Sequence, residues 1–295
     1  MKNFSNYFKE EKWIKVLFLS WVVLLVSFPC DAGSIKEVNQ SITQVQSIEP
    51  PFHFALVGDS RSGNKVYTQL LERILERKPH FLIHLGDMIN IPHEKEWQAF
   101  FESSKKMDIP FFPAVGNHDV GTTSLGEEMY RKQFSLPEGK TYYAFQAGDI
   151  LFAILDSEKE KGRILKEQWS WLEDLLSSSK KTFKLVFLHR PLFLPVDSLK
   201  TGRAMDKYPQ ERDDLHQLFL KTKVNAVFAG DDHRYDRNKK EGILYVISGG
   251  GGGPLTSLKE RGGYFHYVWI SVQKGRIIGE VVDAGGQVQD TFVIE

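Results

Sequence analysis

The chain has 295 residues, 41% of them hydrophobic, which is enough for one large domain or two small ones with a sizeable core. Its 38 Lys and Arg residues equal its 38 Asp and Glu residues, so no overall field would steer it to nucleic acid or to an anionic membrane. The single cysteine, Cys30, lies beside the N-terminal apolar run, which excludes an internal disulfide, a thiolate zinc site and a cysteine nucleophile from the folded part.

The first predicted element is an N-terminal targeting segment. Several lysines precede an apolar run over residues 16–28, whose length of about 13 residues suits a signal-peptide core and is short of the roughly 20 that span a bilayer. Small residues favour cleavage after Ala32, while an uncleaved anchor and a lipidated Cys30 are the alternatives. We therefore predict that residues 1–32 are a signal peptide or N-terminal anchor, and that the protein is exported to the periplasm or the extracellular space. Any membrane anchoring would involve this segment only.

A linker and then a single domain are predicted after the targeting segment. Residues 33–50 are polar with scattered aliphatic side chains, which is typical of a linker, and residues 51–295 show no internal repeat or second break in composition. Within the domain, β-type apolar runs alternate with amphipathic helical patterns. The predicted strands lie at 52–57, 81–85, 111–115, 141–146, 150–155, 183–188 and 224–229. The predicted helices lie at 66–75, 94–106, 163–178 and 209–222.

The last part of the domain changes character. Strand-like segments at 243–248, 264–272, 276–283 and 287–294 follow one another without helices between them. The whole pattern predicts an α/β (α+β) domain in which two packed β-sheets are flanked by helices.

Polar motifs follow the ends of five predicted strands, where α/β sheets usually place ligand sites. Taken singly, a Gly-Asp after a strand is most often a turn, but five such ends would bring Asp, Asn and His to one place. Each motif glycine is expected to let the backbone turn sharply at the rim. The motifs are Gly58-Asp59-Ser60-Arg61, Gly86-Asp87, Gly116-Asn117-His118-Asp119, His189-Arg190 and Gly230-Asp231-Asp232-His233.

This ordered set resembles the calcineurin-like metallophosphoesterase superfamily, for which Gly-Asn-His-Asp is the most specific element. A glycine-rich run at 247–254 also resembles a loop of the branch that contains purple acid phosphatases and cyclic-nucleotide phosphodiesterases. The resemblance implies a β-sandwich of two mixed sheets flanked by helices. It also implies a centre of two divalent metal ions that hydrolyses phosphate mono- or diesters with a metal-bound hydroxide.

The resemblance assigns roles residue by residue. Asp87 would bridge two ions drawn from Mn, Fe, Zn or Mg. His118 would act at the leaving group as acid or charge stabiliser, oriented by Asp119. Arg61 and Arg190 are candidate contacts to the substrate phosphate, although an arginine beside His189 is more often a salt-bridge residue. The remaining implied ligands are Asp59 and His233 for the first ion and Asn117 and His189 for the second.

Two positions depart from the family's pattern. Arg61 stands where the first motif has a histidine, and it cannot donate a lone pair to a metal. Asp231 replaces the first histidine of the last motif and can still bind the second ion. Three outcomes follow: Asp231 binds metal while Arg61 holds phosphate, the two residues pair with each other, or one ion binds and Arg61 replaces part of the missing charge. Asn90 would add an oxygen to the first site or cap a loop.

The motif set thus predicts a metal-dependent phosphoesterase acting on a small phosphorylated substrate, with no nucleic-acid partner. The alternative is a non-catalytic binding or sensing protein on a degenerate phosphoesterase scaffold. Three histidines outside the motifs, His53, His84 and His266, are expected to pack in the core. The glycine run is expected to form a tight loop approaching the metal site. Residues 191–209 are the predicted lid, and the other predicted rim loops are 88–96, 119–130 and 250–263.

Overall fold

The computed structural model describes Ile35 and residues 37–295. The predicted targeting segment, residues 1–32, lies outside the described residues, and so do the cleavage and lipidation positions within it. Among the residues that are described, no helix combines the length and apolar character that a membrane span needs.

Twelve strands form the framework of the described chain, in two mixed sheets of six strands each. They are β1 (Phe52–Val57), β2 (Phe81–His84), β3 (Phe111–Pro113), β4 (Tyr143–Ala147), β5 (Ile150–Ile154), β6 (Phe183–Leu188), β7 (Ala226–Ala229), β8 (Tyr235–Lys240), β9 (Ile243–Ser248), β10 (His266–Gln273), β11 (Arg276–Asp283) and β12 (Val288–Ile294). The first sheet has the order β12-β11-β10-β1-β2-β3 and the second β4-β5-β6-β7-β9-β8. The predicted pair of mixed sheets is confirmed.

Helices flank the sheets and bury one face each. They are α1 (Val38–Val45), α2 (Asn64–Glu76), α3 (Glu94–Ser103), α4 (Asn117–Val120), α5 (Ser124–Phe134), α6 (Lys166–Ser178) and α7 (Pro209–Lys221). In α2 the buried residues Tyr67, Leu70, Leu71 and Ile74 recur at the spacing of one helix face. Leucines of α6 and α7 join Leu151, Val186 and other residues of the second sheet in a separate apolar cluster.

An aromatic core holds the two sheets together. Phe54 of the first sheet packs edge-on against Phe152 of the second, with ring centroids 5.4 Å apart, and Phe112 stacks on Phe145 at 3.9 Å. All four rings are at most 3% exposed, and burying each contributes roughly 1.5–3 kcal/mol. This packing holds the two sheets against each other, and the segments that follow the carboxyl ends of β1, β2, β3, β6 and β7 carry the motif residues.

The predicted linker is wrong for residues 38–45, because helix α1 packs on the core there. Val38 and Val45 are fully buried, and the buried Ser41 Oγ accepts a hydrogen bond of 3.2 Å from the backbone N–H of Phe111. Few residues of this helix are apolar and face the core, and most of the others are polar. By composition alone the segment therefore resembles a linker. Its buried face appears only once the sheet beside it has formed.

Strand β8 and helix α5 are also absent from the predicted elements. Strand β8 pairs antiparallel with β9 at the edge of the second sheet, and its Asp, Arg, Asn and Lys side chains suit an edge strand that must not recruit another chain. Helix α5 occupies most of the predicted rim loop 119–130. It contains Gly126, where an added Cβ would lie 1.9 Å from the carbonyl oxygen of Val120, so close packing explains a residue that disfavours helices.

Candidate metal centre

The three motif aspartates that follow strands share an unusual backbone conformation. Asp59 follows β1, Asp87 follows β2 and Asp231 follows β7, and their φ angles are 60°, 57° and 63°. Aspartate tolerates this left-handed region better than most residues, and single residues held there cluster at functional sites. All three are buried, at 0–1% exposure. The turns therefore place three carboxylates together at the carboxyl ends of the strands.

The motif glycines are needed mainly because there is no room for a side chain at their positions. Sharp turning of the backbone is not the main reason, which corrects the sequence prediction. Only Gly86 has a positive φ, 91°, among the motif glycines. A Cβ at Gly116 would lie 2.2 Å from the backbone nitrogen of Asp87, and one at Gly230 would lie 2.5 Å from Asp59 Oδ2. These positions need glycine because the aspartates approach the neighbouring backbone so closely.

Three motif histidines are held in one tautomer by the main chain. Each presents Nδ1 to a backbone carbonyl, which can only accept, so Nδ1 carries the hydrogen and Nε2 of the neutral ring carries a lone pair. Such outer contacts are what orients metal-binding histidines in proteins. The carbonyl partners are Leu85 for His189 at 2.8 Å, Pro254 for His233 at 2.6 Å, and Asn90 for His118 at 2.7 Å.

One group of ligand atoms consists of Asp59, Asp87 and His233. One potential ligand atom from each lies within 4.8 Å of the others, and all three residues are buried. His233 Nε2 is 3.4 Å from Asp59 Oδ1 and is a buried polar atom left without a hydrogen bond. A lone pair that faces carboxylates can be satisfied by a proton or a metal ion, and this group therefore fits a divalent cation.

A second group surrounds His189 Nε2. It lies 3.2 Å from Asn117 Oδ1, 3.3 Å from Asp87 Oδ1 and 3.8 Å from Asp231 Oδ1. Asp231 Oδ2 is buried and also lacks a hydrogen-bond partner. Nitrogen and oxygen donors in this arrangement suit the same ions as the first group, and Asp87 belongs to both groups as the resemblance implies.

The pKa shifts in the cluster show that positive charge would stabilise it. Burial raises the pKa of Asp59. Burial lowers the pKa of His189, but Asp87, Asp59 and Asp231 outweigh it and raise that pKa to about 9. For His233 the carboxylate of Asp59 likewise outweighs burial, and the pKa is raised. The site is therefore a buried set of carboxylates with imidazole lone pairs directed at them, which bound cations would neutralise.

Two cationic side chains already contact this set. Arg61 Nε donates to Asp87 Oδ2 at 3.1 Å, and Lys200 Nζ lies 2.5 Å from Asp231 Oδ1. The predicted alternative in which Arg61 and Asp231 pair with each other is thus wrong, because each has another partner. Arg61 also reaches Asn90 Oδ1 at 3.5 Å, and that oxygen accepts from a serine hydroxyl as well, so Asn90 serves as a loop amide.

Asp119 has a different role from the one predicted. Its carboxylate accepts hydrogen bonds from the backbone N–H groups of Asp87 at 2.9 Å, Met88 at 2.8 Å and Gly116 at 2.9 Å. It does not orient His118, whose Nδ1 binds the carbonyl of Asn90 instead. Burial is the larger cause, and the nearby Asp87 the smaller one, of a rise in the pKa of Asp119 to about 8. Asp119 therefore holds the loop that carries Asp87.

Arg190 forms a salt bridge and is not free to bind phosphate. Its Nη2 lies 2.7 Å from Glu158 Oε2, its Nε donates to the same carboxylate at 2.9 Å, and its Nη1 donates to the carbonyl of Arg203. Glu158 is nearly buried, with its side chain 4% exposed. This corrects the prediction of Arg190 as a phosphate contact.

Loops on both sides of the site close around it. The glycine-rich run approaches as predicted, since Gly253 N donates to the Asp59 carbonyl at 2.7 Å and Gly251 N to the Gly58 carbonyl at 2.8 Å. The predicted lid also contacts the site through Lys200, and Ser198 Oγ donates to Asp232 Oδ2 at 2.6 Å. Beside Asn117 and His118 a cleft of about 920 Å³ opens to solvent.

Comparison with known sequences agrees with this geometry. The sequence model of the calcineurin-like phosphoesterase family matches residues 52–235. The serine/threonine-protein phosphatase CPPED1 of Homo sapiens is 29% identical over 189 residues, which cover 59% of this chain and 60% of that protein. The chain thus spans about 60% of the length of this relative.

Solved structures share the fold. Purple acid phosphatase PPD1 from yellow lupin (Lupinus luteus) seeds matches with a TM-score of 0.69 and 21% identity, over 84% of this chain and 54% of that chain. GAP50, the anchor in the inner membrane complex of Plasmodium, matches with a TM-score of 0.65 and 15% identity, over 83% and 88%. At these identities the likeness establishes the fold, and it is the fold predicted.

Proposed function

The chain belongs to the calcineurin-like phosphoesterase family, and from this premise we propose that it hydrolyses phosphate mono- or diesters at a divalent-metal centre. In the overall reaction a P–O bond is cleaved, the oxygen of water is transferred to phosphorus, and the leaving oxygen takes up a proton. The proposed ligands are Asp59, Asp87, Asn117, His189, Asp231 and His233. The observation that carries the proposal is the convergence of the Nε2 atoms of His189 and His233 on three buried carboxylates.

The metal ions, when bound, would neutralise these carboxylates, hold the phosphate and supply a hydroxide nucleophile near neutral pH. The chain's own contribution is to position them. Main-chain carbonyls fix the imidazole rings, and Asp119 fixes the Asp87 loop through three short hydrogen bonds to its backbone and to Gly116. Because Asp87 belongs to both groups, we propose that the centre holds two ions.

His118 is the proposed proton donor to the leaving oxygen. Its Nδ1 is fixed by Asn90, whereas Nε2 lies 4.0 Å from Asp87 Oδ2 and the side chain is 34% exposed, at the border of the cleft. It is therefore the motif histidine that a substrate can reach. A ring with one nitrogen fixed and the other accessible is suited to general acid catalysis.

Arg61 is the proposed contact to the substrate phosphate. Its Nε and Nη1 are used by Asp87 and Asn90, and Nη2 has no hydrogen-bond partner among the described residues. The side chain is 17% exposed and lies at the edge of the ligand set. A fixed arginine with one free donor can bind a phosphate oxygen beside the metal centre without moving.

The test is hydrolysis of p-nitrophenyl phosphate and bis(p-nitrophenyl) phosphate with added Mn²⁺. We expect activity in the wild-type protein and a loss of at least about 100-fold in kcat/KM in Asp87→Asn and in His118→Ala, since both remove groups at the reacting phosphate. Asp174→Asn and His80→Ala, at exposed positions elsewhere, are the matched controls. Activity that survives both site substitutions would contradict the proposal.

The alternative, a non-catalytic binding or sensing protein, is favoured by one observation. Two of the ligand carboxylates already have cationic partners, Arg61 on Asp87 and Lys200 on Asp231. If these ion pairs replace metal, the purified protein will contain well under one metal ion per chain after incubation with Mn²⁺ and desalting. A ratio of one or two, measured by elemental analysis, supports the enzyme.

A further inference from the structure

The cleft beside His118 has an unusual set of cationic side chains along its lining. Lys159 and Lys161 precede α6, and Arg203 and Lys207 precede α7. All four are exposed, and none forms an ion pair in the part of the chain that the structure describes. Two separate loops thus present unpaired positive charge to one cavity.

The acidic residues of the same cleft do not cancel this charge, because two of them pair with arginines and the third is buried. Glu158 forms the salt bridge with Arg190 at 2.7 Å, and Glu127 pairs with Arg131. Asp156 is 2% exposed, and it accepts hydrogen bonds from Thr141 and from the backbone of residues 158 and 159. The cavity is therefore positive, although the chain as a whole is neutral.

The position of the cleft determines what would occupy it. Asn117 and His118, a proposed metal ligand and the proposed proton donor, both line it, so the leaving group of a bound ester would extend into this cavity. Its volume of about 920 Å³ is within the range of small-molecule sites. Ile91, which is 59% exposed, Pro92 and Val120 add apolar surface to the lining.

We propose that the substrate is a small organic phosphate ester whose leaving group carries a second anionic group, a phosphate or a carboxylate. The second anion lies along Lys159, Lys161, Arg203 and Lys207, and the carbon skeleton packs on the apolar lining residues. This assignment rests on the proposed hydrolytic function and adds the substrate class to it. Each contact between the second anion and an exposed cation increases affinity by a factor of roughly 1.5 to 5. Several such contacts together give a preference of about 10-fold for a substrate that carries the second anion.

The experiment compares matched sugar phosphates. Release of inorganic phosphate from glucose 6-phosphate and glucose 1,6-bisphosphate is measured with the Mn²⁺-loaded protein at low salt, together with hydrolysis of p-nitrophenyl phosphate. Both sugars are also assayed as competitive inhibitors of that hydrolysis. We expect the bisphosphate to bind or react about 10-fold better than the monophosphate, and 0.5 M salt to abolish most of this preference.

The variant that removes the charge is Lys159→Gln/Lys161→Gln/Arg203→Gln. Its control is Lys180→Gln/Lys274→Gln/Arg276→Gln, which changes the net charge equally at exposed positions away from the cleft. We expect the cleft variant to lose about 10-fold on the bisphosphate and less than about 2-fold on p-nitrophenyl phosphate, and the control to lose neither.

The outcomes separate the two proposals. If the wild-type protein hydrolyses p-nitrophenyl phosphate but treats mono- and bisphosphate alike, the substrate class is wrong and the hydrolase stands. If the cleft variant loses activity equally on all substrates, or the control variant loses as much, the cationic lining is not a recognition surface. A preference for an acidic phosphopeptide over the bisphosphate would overturn the small-molecule assignment. Absence of any hydrolysis rejects the proposed function itself.

Discussion

Two sets of buried histidines lie close together in this protein and behave in opposite ways. At the rim, the pKa of His189 is raised to about 9 and that of His233 is also raised. In the sheet interior, burial lowers the pKa of His84 to about 3 and that of His266 to about 4. All four side chains are at most 3% exposed. Burial alone therefore does not distinguish a functional histidine from a structural one.

The difference lies in what each ring faces. Nδ1 of His266 donates to the Tyr264 carbonyl at 2.9 Å and its Nε2 accepts from the Ser248 hydroxyl at 3.0 Å, so the neutral ring is fully satisfied. His189 makes a similar Nδ1 contact, but its Nε2 faces carboxylate and amide oxygens that have no hydrogen to offer. The ring of His266 is thus complete as a neutral group, whereas Nε2 of a rim histidine requires a proton or a metal ion.

The largest expected effect comes from substituting one histidine of each set. His189→Gln removes the imidazole nitrogen that the main chain holds towards the ligand set, and kcat/KM on p-nitrophenyl phosphate should fall by more than about 100-fold, together with the metal content. His84→Gln should leave kcat/KM within about 3-fold and lower the free energy of unfolding by about 1–3 kcal/mol. Kinetics, elemental analysis and urea unfolding measure these. Equal losses of activity in the two variants would remove the distinction between rim and interior.

A smaller effect is expected at residue 61, where substitution tests whether Arg61 weakens metal binding. Arg61→His restores the family's first motif and replaces a cation 3.1 Å from Asp87 by a neutral donor. We expect the Kd for Mn²⁺, measured by calorimetric titration, to fall by about 10-fold, the scale on which metal-site contacts act. Arg61→Gln removes the charge without adding a nitrogen ligand and should give a smaller gain. An unchanged Kd in both variants would show that Arg61 does not oppose metal binding.

Much of the site could be predicted from the sequence because its signal is local. A strand followed by Gly-Asp or Gly-Asn-His places the side chain at a sheet edge, and the structure brings Asp59, Asp87, Asn117, His189 and His233 together as the motifs indicate. That they bind metal stays a prediction. The core packing predicted for His84 and His266 is confirmed, since they lie on strands whose apolar patterns show which segments are buried. For His53 the prediction is wrong, because this side chain is only partly buried and its Nδ1 forms a hydrogen bond of 3.0 Å with Ser271 Oγ.

What could not be predicted depends on contacts between distant segments. Lys200 comes from a loop without periodicity and meets Asp231 only in the folded chain. The partners of Asp119 are backbone N–H groups whose directions the turn at Asp87 sets, and no residue pattern encodes them. The sequence places Arg190 next to His189, but in the folded chain Glu158 of another loop binds it. In each case the sequence shows the residue but not the group that it contacts in the folded chain.

The smallest expected effect is the pH dependence of stability that the interior set contributes. The pKa of His266 is about 4 in the folded protein and 6.5 as the ordinary value, so the unfolded chain binds the proton first as pH falls. The stability that this residue contributes is full above pH 6.5 and is lost as pH falls towards 4. Between pH 7 and 5.5, the wild-type protein should lose about 1 kcal/mol more of its free energy of unfolding than His266→Gln does. Urea unfolding with a chelator present measures this.

His189→Gln in the metal-free protein should show the opposite sign. A group whose pKa is raised stabilises the folded state fully below pH 6.5, and this contribution is lost as pH rises to about 9. If both variants changed the pH profile in the same direction, the carboxylates of the rim would not be what distinguishes the two sets.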